Sequence, residues 1–397
     1  MQTQLAAFIK DTAVGQEAEN LLRACVHCGF CNANCPTYQL LGDELDGPRG
    51  RIYLIKQVLE GEVASAATQQ HLDRCLSCRA CETACPSGVQ YHRLLDIGRG
   101  IVEQKVSRPR QQRLIRWLLL NALPYPKRFE ILLALGRRLR PLLPRALRAK
   151  LPRQTQAASW PQPRHPRRML LLQGCVQPSL APRINSAAAK VLDSLGISVL
   201  AVEGCCGALS YHLNEQSAGL ERMRALIDAC WPHVETGIEA IVSTASGCGL
   251  SVKDYGELFR HDPGYAAKAA RIAELAKDIS EVLETEDLSR LQPAPRKIAF
   301  HSPCTLQHGQ HLSGRVEPLL AKLGFTLAQV ADAHLCCGSA GTYALLQPEL
   351  SGQLQTAKVK ALQAERPELI ATANIGCWLQ LREKAAVPVV HWIELLS

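Results

Sequence analysis

The sequence lacks any apolar run long enough to cross a membrane. A membrane-spanning helix needs about 18 to 20 such residues, and the longest candidate runs, at 117–120 and 131–135, are far shorter. The first residues also lack the basic stretch, apolar stretch and cleavage site of an export signal. We therefore expect a cytoplasmic protein, and in that reducing compartment clustered cysteines bind metals more often than they form disulfides.

Nucleotide-binding loops are absent as well. No G-x-G-x-x-G loop opens a helix after a strand, and there is no P-loop. We therefore expect no flavin or nicotinamide on this chain, so any substrate oxidation would need a partner subunit.

Cysteine, by contrast, is abundant, with 17 in 397 residues. Two runs share the spacing C-x-x-C-x-x-C-x-x-x-C-P, which suits iron–sulfur clusters because thiolates are the soft ligands that they require. In two-cluster ferredoxins the last cysteine of each run ligates the other cluster. We therefore predict two 4Fe-4S clusters, one held by Cys25, Cys28, Cys31 and Cys85 and the other by Cys75, Cys78, Cys81 and Cys35. All-cysteine zinc sites are the alternative, but zinc does not require four cysteines in eleven residues followed by proline and repeated whole.

The second half of the chain is an internal repeat built on a Cys-Cys-Gly (CCG) motif. Short apolar runs alternate with helical patterns there, which predicts α/β domains with parallel strands. The first copy carries an insertion near residues 254–275. Four cysteines recur at offsets of 129 to 131 residues, namely Cys175, Cys205, Cys206 and Cys248 in the first copy and Cys304, Cys336, Cys337 and Cys377 in the second.

Each set of four follows strands of the predicted sheets. Because the carboxyl ends of parallel strands meet at one crevice, the four thiols of a copy can converge there. We interpret them as a further metal centre or an active site; simple packing of buried cysteines is the alternative. Cys230 has no counterpart and is assigned to packing. Nearby histidines could be ligands or proton carriers, namely His212, His301, His308 and His311.

Positive charge is concentrated in one segment. Residues 99–168 contain 18 Lys and Arg against two acids, so the net charge of +9 divides into +16 there and −7 elsewhere. Nine prolines from Pro109 to Pro166 predict short, interrupted helices. Arginines, Arg145 and Arg148 among them, alternate with Trp and Leu, as in helices that lie on anionic lipid. An acidic partner subunit is the alternative; no nucleic-acid-binding module accompanies the charge.

Together these patterns predict an α+β multidomain chain. Its predicted parts are a helical two-cluster ferredoxin domain at 1–98, a basic linker at 99–166, and two homologous α/β CCG domains with parallel sheets at 167–295 and 296–397.

The N-terminal block closely resembles the iron–sulfur subunits of bacterial glycolate oxidase (glycolate dehydrogenase). The resemblance rests on the first cysteine run with Thr37-Tyr38, on Asp46-Gly-Pro-Arg-Gly-Arg-Ile-Tyr-Leu, and on the second run with Ser87-Gly-Val. It extends over nearly the whole chain. The same domain pair occurs in subunits of anaerobic glycerol-3-phosphate dehydrogenase, in lactate-utilisation proteins and in heterodisulfide reductase.

The resemblance implies a complex in which separate flavin subunits oxidise glycolate, or D-lactate, to the 2-oxo acid. This chain would then relay electrons towards a quinone. The basic segment separately predicts peripheral association with the cytoplasmic face of the inner membrane. Electron transfer for another flavin dehydrogenase, heterodisulfide-reductase-like catalysis and a zinc-binding interaction protein are the alternatives.

The chain departs from heterodisulfide reductase at one position of each CCG domain. In heterodisulfide reductase each CCG domain ends in C-x-x-C, and five cysteines hold a noncubane cluster. Here Ser251 and Gln380 stand where the fifth cysteine would be. Four thiolates suffice for an ordinary cluster, so we predict one or two further iron–sulfur centres.

Overall fold

The structure is a computed structural model that describes residues 1–142, 156 and 158–397. Arg145 and Arg148 of the predicted basic segment lie outside the described residues. Along the described chain, a helical N-terminal unit is followed by two helices and then by two four-stranded sheets.

The N-terminal unit is helical, as the apolar spacing predicts. Side-chain caps define several of its helices: Thr12 accepts a hydrogen bond from the Gly15 N–H, and Ser65 and Thr68 form a capping box. The apolar faces meet in one core. The helices are α1 (Ala13–Ala24), α2 (Phe30–Ala33), α3 (Pro36–Leu41), α4 (Pro48–Leu59), α5 (Ala66–Asp73), α6 (Ala80–Thr83) and α7 (Tyr91–Lys105), with a 3₁₀ turn at Glu44–Asp46.

The last of these helices crosses the boundary predicted between residues 98 and 99. α7 continues to Lys105, and its Val102 side chain is buried in the same core as Leu94 and Leu95. We therefore propose that the N-terminal unit ends after α7. The other domain limits stay predictions.

Two amphipathic helices follow, α8 (Arg110–Ala122) and α9 (Pro126–Arg138), with a 3₁₀ turn at Arg140–Leu142. Proline interrupts this segment as predicted, since Pro124 lies between the helices and Pro126 occupies a first-turn position of α9, where a missing N–H costs nothing. None of the helices that the structure describes is both long and apolar enough to span a bilayer.

The two halves of the repeat form parallel sheets of the same topology, which confirms the predicted fold class. In the first half the strand order is β2-β1-β3-β4 and in the second it is β6-β5-β7-β8, with parallel pairing throughout. The strands are β1 (Arg167–Leu172), β2 (Ile197–Val202), β3 (Ala240–Ser243), β4 (Ala276–Asp278), β5 (Lys297–His301), β6 (Thr326–Leu327), β7 (Leu369–Thr372) and β8 (Val389–His391).

Helices cover the faces of both sheets. In the first half they are α10 (Gln177–Leu180), α11 (Pro182–Ser194), α12 (Ala208–His212), α13 (Gln216–Glu235), α14 (Ser246–Lys253), α15 (Tyr255–Leu258), α16 (Ala266–Leu275) and α17 (Ile279–Leu283), with a 3₁₀ turn at Leu288–Arg290. In the second half they are α18 (Val316–Lys322), α19 (Tyr343–Leu346), α20 (Pro348–Gln363) and α21 (Ile375–Leu381), with a π turn at Thr305–Gly309 and a 3₁₀ turn at Trp392–Leu395. Helices α15 and α16 occupy the predicted insertion.

The two sheet domains share a hydrophobic core, which includes Ile184 of the first domain and Trp392 of the second. Hydrogen bonds cross between them as well: the Ser246 N–H donates to the Ala373 carbonyl at 3.2 Å, and His391 Nε2 donates to the Thr244 carbonyl at 2.8 Å. The loops at the carboxyl ends of both sheets are therefore held in fixed relative positions.

Candidate metal centres

Four thiols of the N-terminal unit, which we name the first cluster site, line one cavity of about 440 Å³. They are Cys25, Cys28, Cys31 and Cys85. His27 and Gly29 adopt left-handed backbone conformations, with φ of 59° and 86°, and so wind the loop around the cavity. At Gly29 a Cβ would lie 2.5 Å from the guanidinium at the end of the Arg49 side chain, which would have to shift to make room for it.

The second cluster site lies beside the first. Its thiols, Cys35, Cys75, Cys78 and Cys81, line a cavity of about 390 Å³. Ser77 and Arg79 repeat the left-handed conformations fifty residues later, with φ of 51° and 60°. A left-handed backbone conformation costs about 1 to 2 kcal/mol at each residue other than glycine. Because both loops adopt it at equivalent positions, it indicates that both loops bind the same kind of ligand. Cys81 borders both cavities, which makes the two sites immediate neighbours.

The chemistry of these thiols fits a bound cation. Burial raises the pKa of Cys31 to about 11, and the neighbouring thiolates add to that shift. Burial also raises the pKa of Cys78 and of Cys81 well above its usual value. Without a metal these thiols would be protonated; an iron–sulfur cluster supplies the positive charge that keeps them as thiolates.

A buried ionic network supports the second cluster site. Arg51 and Asp46 are both fully buried and lie 3.3 Å apart, and Arg51 also donates to Thr37 Oγ1, which in turn contacts Cys35 Sγ at 3.3 Å. Arg74 pairs with the other Asp46 oxygen at 2.8 Å. The cysteine spacing did not reveal these residues, although Asp46 and Arg51 lie in the Asp-Gly-Pro-Arg-Gly-Arg block that carried the resemblance.

A second buried arginine holds the ligand loop itself. Arg99 donates to the Cys75 carbonyl at 2.8 Å and to Ser77 Oγ at 3.1 Å. Two guanidinium groups therefore lie against this site, where they would stabilise the negative charge of a reduced cluster.

The thiols of the first CCG domain also converge, and we name them the first CCG site. Sulfur contacts run from Cys175 to Cys205, from Cys205 to Cys206 and from Cys206 to Cys248. Those thiol hydrogen bonds lower the pKa of Cys205 and raise the pKa of Cys175 and of Cys206. Ser251, in the place of the absent fifth cysteine, donates instead to the Cys206 carbonyl at 3.0 Å.

The second CCG site has the same plan. Cys304 Sγ lies 3.9 Å from Cys336 Sγ, and Cys337 contacts both Cys336 and Cys377. All four thiols are buried. Gln380, in the place of the fifth cysteine, donates to Ser351 Oγ at 2.9 Å and serves packing.

Left-handed glycines follow both cysteine pairs. Gly207 has φ of 79° and Gly338 has φ of 85°. An added Cβ would approach the Gly219 carbonyl oxygen to 2.6 Å in the first domain and the Ser351 carbonyl oxygen to 2.7 Å in the second. The Cys-Cys-Gly motif therefore turns sharply against α13 in the first copy and against α20 in the second.

The second CCG site adjoins the second cluster site. Cys78 shares a small hydrophobic cluster with Cys304, Cys336 and Tyr343. Close by, Thr83 Oγ1 and His308 Nδ1 lie 3.1 Å apart. The first CCG domain reaches the N-terminal unit through an ion pair of Arg79 with Asp254.

Comparison with known proteins agrees with this domain content. Residues 21–89 match the family described as 4Fe-4S dicluster domain, and residues 169–253 and 298–382 match the cysteine-rich (CCG) domain. The chain is 57% identical to the glycolate oxidase iron-sulfur subunit of Escherichia coli K12, over all of this chain and 98% of that one. The chain belongs to the family of glycolate oxidase iron-sulfur subunits.

Other relatives are more distant. The probable glycolate oxidase iron-sulfur subunit of Bacillus subtilis 168 is 31% identical over 95% of this chain and 94% of its own. Lactate utilization protein A of an Exiguobacterium species is 26% identical over 56% of this chain and 94% of its own. The resemblance predicted from the N-terminal block is thus confirmed over the full chain.

The predicted histidines occupy different environments. A ring nitrogen of His301 and the sulfur atoms of Cys337 and Cys377 all lie within 4.8 Å of one another. His308 contacts the His334 carbonyl at 2.9 Å and Thr83. His212, half-exposed, lies 3.7 Å from Asp96, outside both CCG sites. His311 is exposed.

Cys230 is buried in the hydrophobic core that also contains Met223 and Ile227, and burial raises its pKa to about 12. This environment is that of a packing residue.

Proposed function

We propose that this chain is the electron-transfer subunit of a glycolate oxidase complex, carrying electrons from partner flavin subunits towards a quinone-type acceptor. Oxidation of glycolate to glyoxylate releases two electrons, which a flavin accepts together and iron–sulfur clusters accept singly. D-lactate, oxidised to its 2-oxo acid, is a second candidate substrate for the partner subunits.

The contact between Cys78 and Cys304 carries this proposal. The two residues share one hydrophobic cluster, so a 4Fe-4S cluster on Cys75, Cys78, Cys81 and Cys35 would lie directly against a centre in the second CCG domain. The first cluster, on Cys25, Cys28, Cys31 and Cys85, would adjoin the second through Cys81, which borders both cavities. This order supports a linear relay of three centres.

The outer end of that relay is open to a partner. Cys28 is exposed at the rim of the first cluster site. Beside it the Val26 and Phe30 side chains are 68% and 65% exposed, and Tyr53 is also exposed. Exposed apolar groups around a redox centre favour docking of a second protein, so we assign this rim to the flavin subunits.

Helices α8 and α9 support peripheral membrane contact. They expose apolar side chains, Trp117, Leu118 and Ile131 among them, beside arginines such as Arg113 and Arg128. Each basic residue near an anionic bilayer contributes about 1 kcal/mol. Quinones reside in the membrane, so this surface would bring the relay near its acceptor.

Reconstitution tests the proposal. The purified, cluster-loaded chain is mixed with candidate flavin subunits and a quinone analogue, and glycolate, D-lactate or glycerol 3-phosphate is supplied. We expect quinone reduction with glycolate only when both the chain and the flavin subunits are present. Equal rates without the chain, or activity with glycerol 3-phosphate alone, would contradict the proposal.

A further inference from the structure

The two CCG sites differ chemically although their cysteines repeat in register. Counted from the lone cysteine, His301 of the second domain stands where Leu172 stands in the first, and both residues end the first strand of their sheet. The strand register agrees, since Leu172 pairs with Ser243 and His301 with Thr372. Only the second site therefore has an imidazole at this position among the described residues.

His301 is buried without a hydrogen-bond partner for Nε2. It is 2% exposed, and Nε2 contacts no donor or acceptor among the described residues. A buried polar atom left unpaired costs about 1 to 3 kcal/mol, so such an atom in a native protein requires an explanation. Binding of a metal would provide one.

His391 shows that this domain can satisfy a buried imidazole when no metal is near. It lies in the same row of the sheet, two strands away from His301, because Thr372 pairs with both residues. His391 is also fully buried, yet Nε2 donates to the Thr244 carbonyl at 2.8 Å and Nδ1 accepts from the Ile393 N–H at 3.3 Å. Of these two buried imidazoles, His301 is the one with an unpaired nitrogen.

The position of His301 matches that of a ligand. One ring nitrogen of His301 and the sulfur atoms of Cys337 and Cys377 all lie within 4.8 Å of one another. Neutral imidazole is a common metal ligand, and His301 is buried beside these two thiols.

A buried cation accompanies this site as well. Lys358 is 3% exposed, donates to the Asp332 carbonyl at 2.7 Å, and acts electrostatically on His301 and on Cys336. Counted from the Cys-Cys-Gly motif, the first domain has the apolar Ile227 in its place. Lys358 would offset part of the negative charge of four thiolates, whereas in the first domain it is the half-buried Arg222 that acts on Cys205.

We propose that His301 is the fifth ligand of an iron–sulfur centre in the second CCG domain, with Cys304, Cys336, Cys337 and Cys377 as the other four. The imidazole takes the role that a fifth thiolate would otherwise fill, and the first CCG site has no equivalent. The proposal deepens the proposed relay, because it makes the second CCG centre distinct from the all-cysteine clusters. Histidine in place of cysteine raises the potential of a cluster, so this centre would attract electrons from the N-terminal unit.

Pulsed EPR with labelled histidine tests the assignment. The full chain is loaded with iron and sulfide, poised with dithionite and mediators over a series of potentials, and compared in forms with ¹⁴N- and ¹⁵N-histidine. We expect one centre with the strong nitrogen coupling of a directly bound imidazole, and its loss in His301→Leu, which copies the first domain. His391→Leu, the matched control, should keep the coupling.

A redox titration provides a second readout. His301→Cys restores a fifth thiolate and should move the midpoint potential of one centre downwards while the iron content is unchanged. No histidine coupling at any potential, a coupling that survives in His301→Leu, or zinc in place of iron in the second domain would overturn the proposal. These readouts use dithionite, so they do not depend on whether glycolate is the substrate.

Discussion

In crossed ligation the fourth cysteine of each run binds the cluster of the other run. In uncrossed ligation it binds the cluster of its own run. Cys85 lines the cavity of the first run and Cys35 the cavity of the second, which favours crossing. Single substitutions cannot decide the matter, because each removes one cluster under either scheme. Pairs of substitutions can.

We predict that Cys35→Ala combined with Cys75→Ala removes one cluster, about four irons, because both thiols belong to the second site. Cys35→Ala combined with Cys25→Ala should remove two clusters, about eight irons. Iron and sulfide analysis with Mössbauer spectroscopy measures the loss. The opposite ranking of the two pairs would establish uncrossed ligation.

The buried pair of Asp46 and Arg51 makes the N-terminal unit sensitive to the loss of one charge. Asp46→Asn leaves the fully buried Arg51 without its carboxylate, which in comparable buried pairs lowers the free energy of unfolding by about 3 to 5 kcal/mol. Denaturant unfolding under anaerobic conditions measures the change. The exposed pair of Glu19 with Arg23 is the control, and Glu19→Gln should cost less than about 1 kcal/mol. Equal effects would show that the buried network is not stabilised by its charge.

At the scale of elements, equivalent caps in the two CCG domains carry different titratable groups. Asp278 ends β4 and caps α17 through the Ser280 N–H, while His391 ends β8 and caps the following 3₁₀ turn through the Ile393 N–H. Burial raises the pKa of Asp278 to about 6 and lowers the pKa of His391 to about 4. In both cases the folded state favours the neutral form.

The two caps should therefore respond oppositely to pH. The folded state binds a proton at Asp278 more tightly than the unfolded state does, so its contribution to stability is lost as the pH rises from about 4 to 6. His391 contributes fully above its unfolded pKa of about 6.5 and loses that contribution as the pH falls towards 4.

We predict that Asp278→Asn, which can still accept the capping hydrogen bond, removes the loss of stability between pH 4 and 7. A raised pKa of about two units corresponds to about 3 kcal/mol. Unfolding midpoints across this pH range measure the effect. An unchanged pH profile in the variant would show that Asp278 is not protonated in the folded protein.

Helices α8 and α9 carry the prediction about membranes. Trp117→Glu with Ile131→Glu places two charges on the exposed apolar surface and should abolish co-sedimentation with anionic liposomes at low salt. Val63→Glu is a matched control, since Val63 is 91% exposed but lies in the N-terminal unit. If all three proteins bind liposomes equally, or none does, the surface serves a protein partner instead.

Most elements could be predicted from the pattern of apolar residues, and the exceptions have physical reasons. Seven strands follow apolar runs of the sequence, but β4 has a single apolar residue, Ala276, and is defined by its pairing with β3. The domain limit predicted at residue 98 falls inside α7, because the apolar face of this helix continues past residue 98 into a basic stretch. Charge there concealed the buried Val102.

At the scale of the whole molecule, the relation between sites depends on contacts that spacing cannot reveal. Cysteine spacing predicts which thiols could share a centre, since those thiols are local in sequence or repeat in register. The adjacency of Cys78 and Cys304 depends on the packing of separate domains, whereas the burial of Arg51 and the unpaired nitrogen of His301 depend on packing within one domain. In the proposed relay, the contact between Cys78 and Cys304 is what orders the sites.

In the proposed relay, electrons from glycolate pass through this chain from the N-terminal clusters to the second CCG centre. Rapid-freeze EPR of the assembled complex, mixed with glycolate in the absence of quinone, tests this order. We predict that the N-terminal clusters become reduced first and the second CCG centre next, both before the slow steady state. Reduced flavin with every iron–sulfur centre of this chain still oxidised would show that electrons do not take this path.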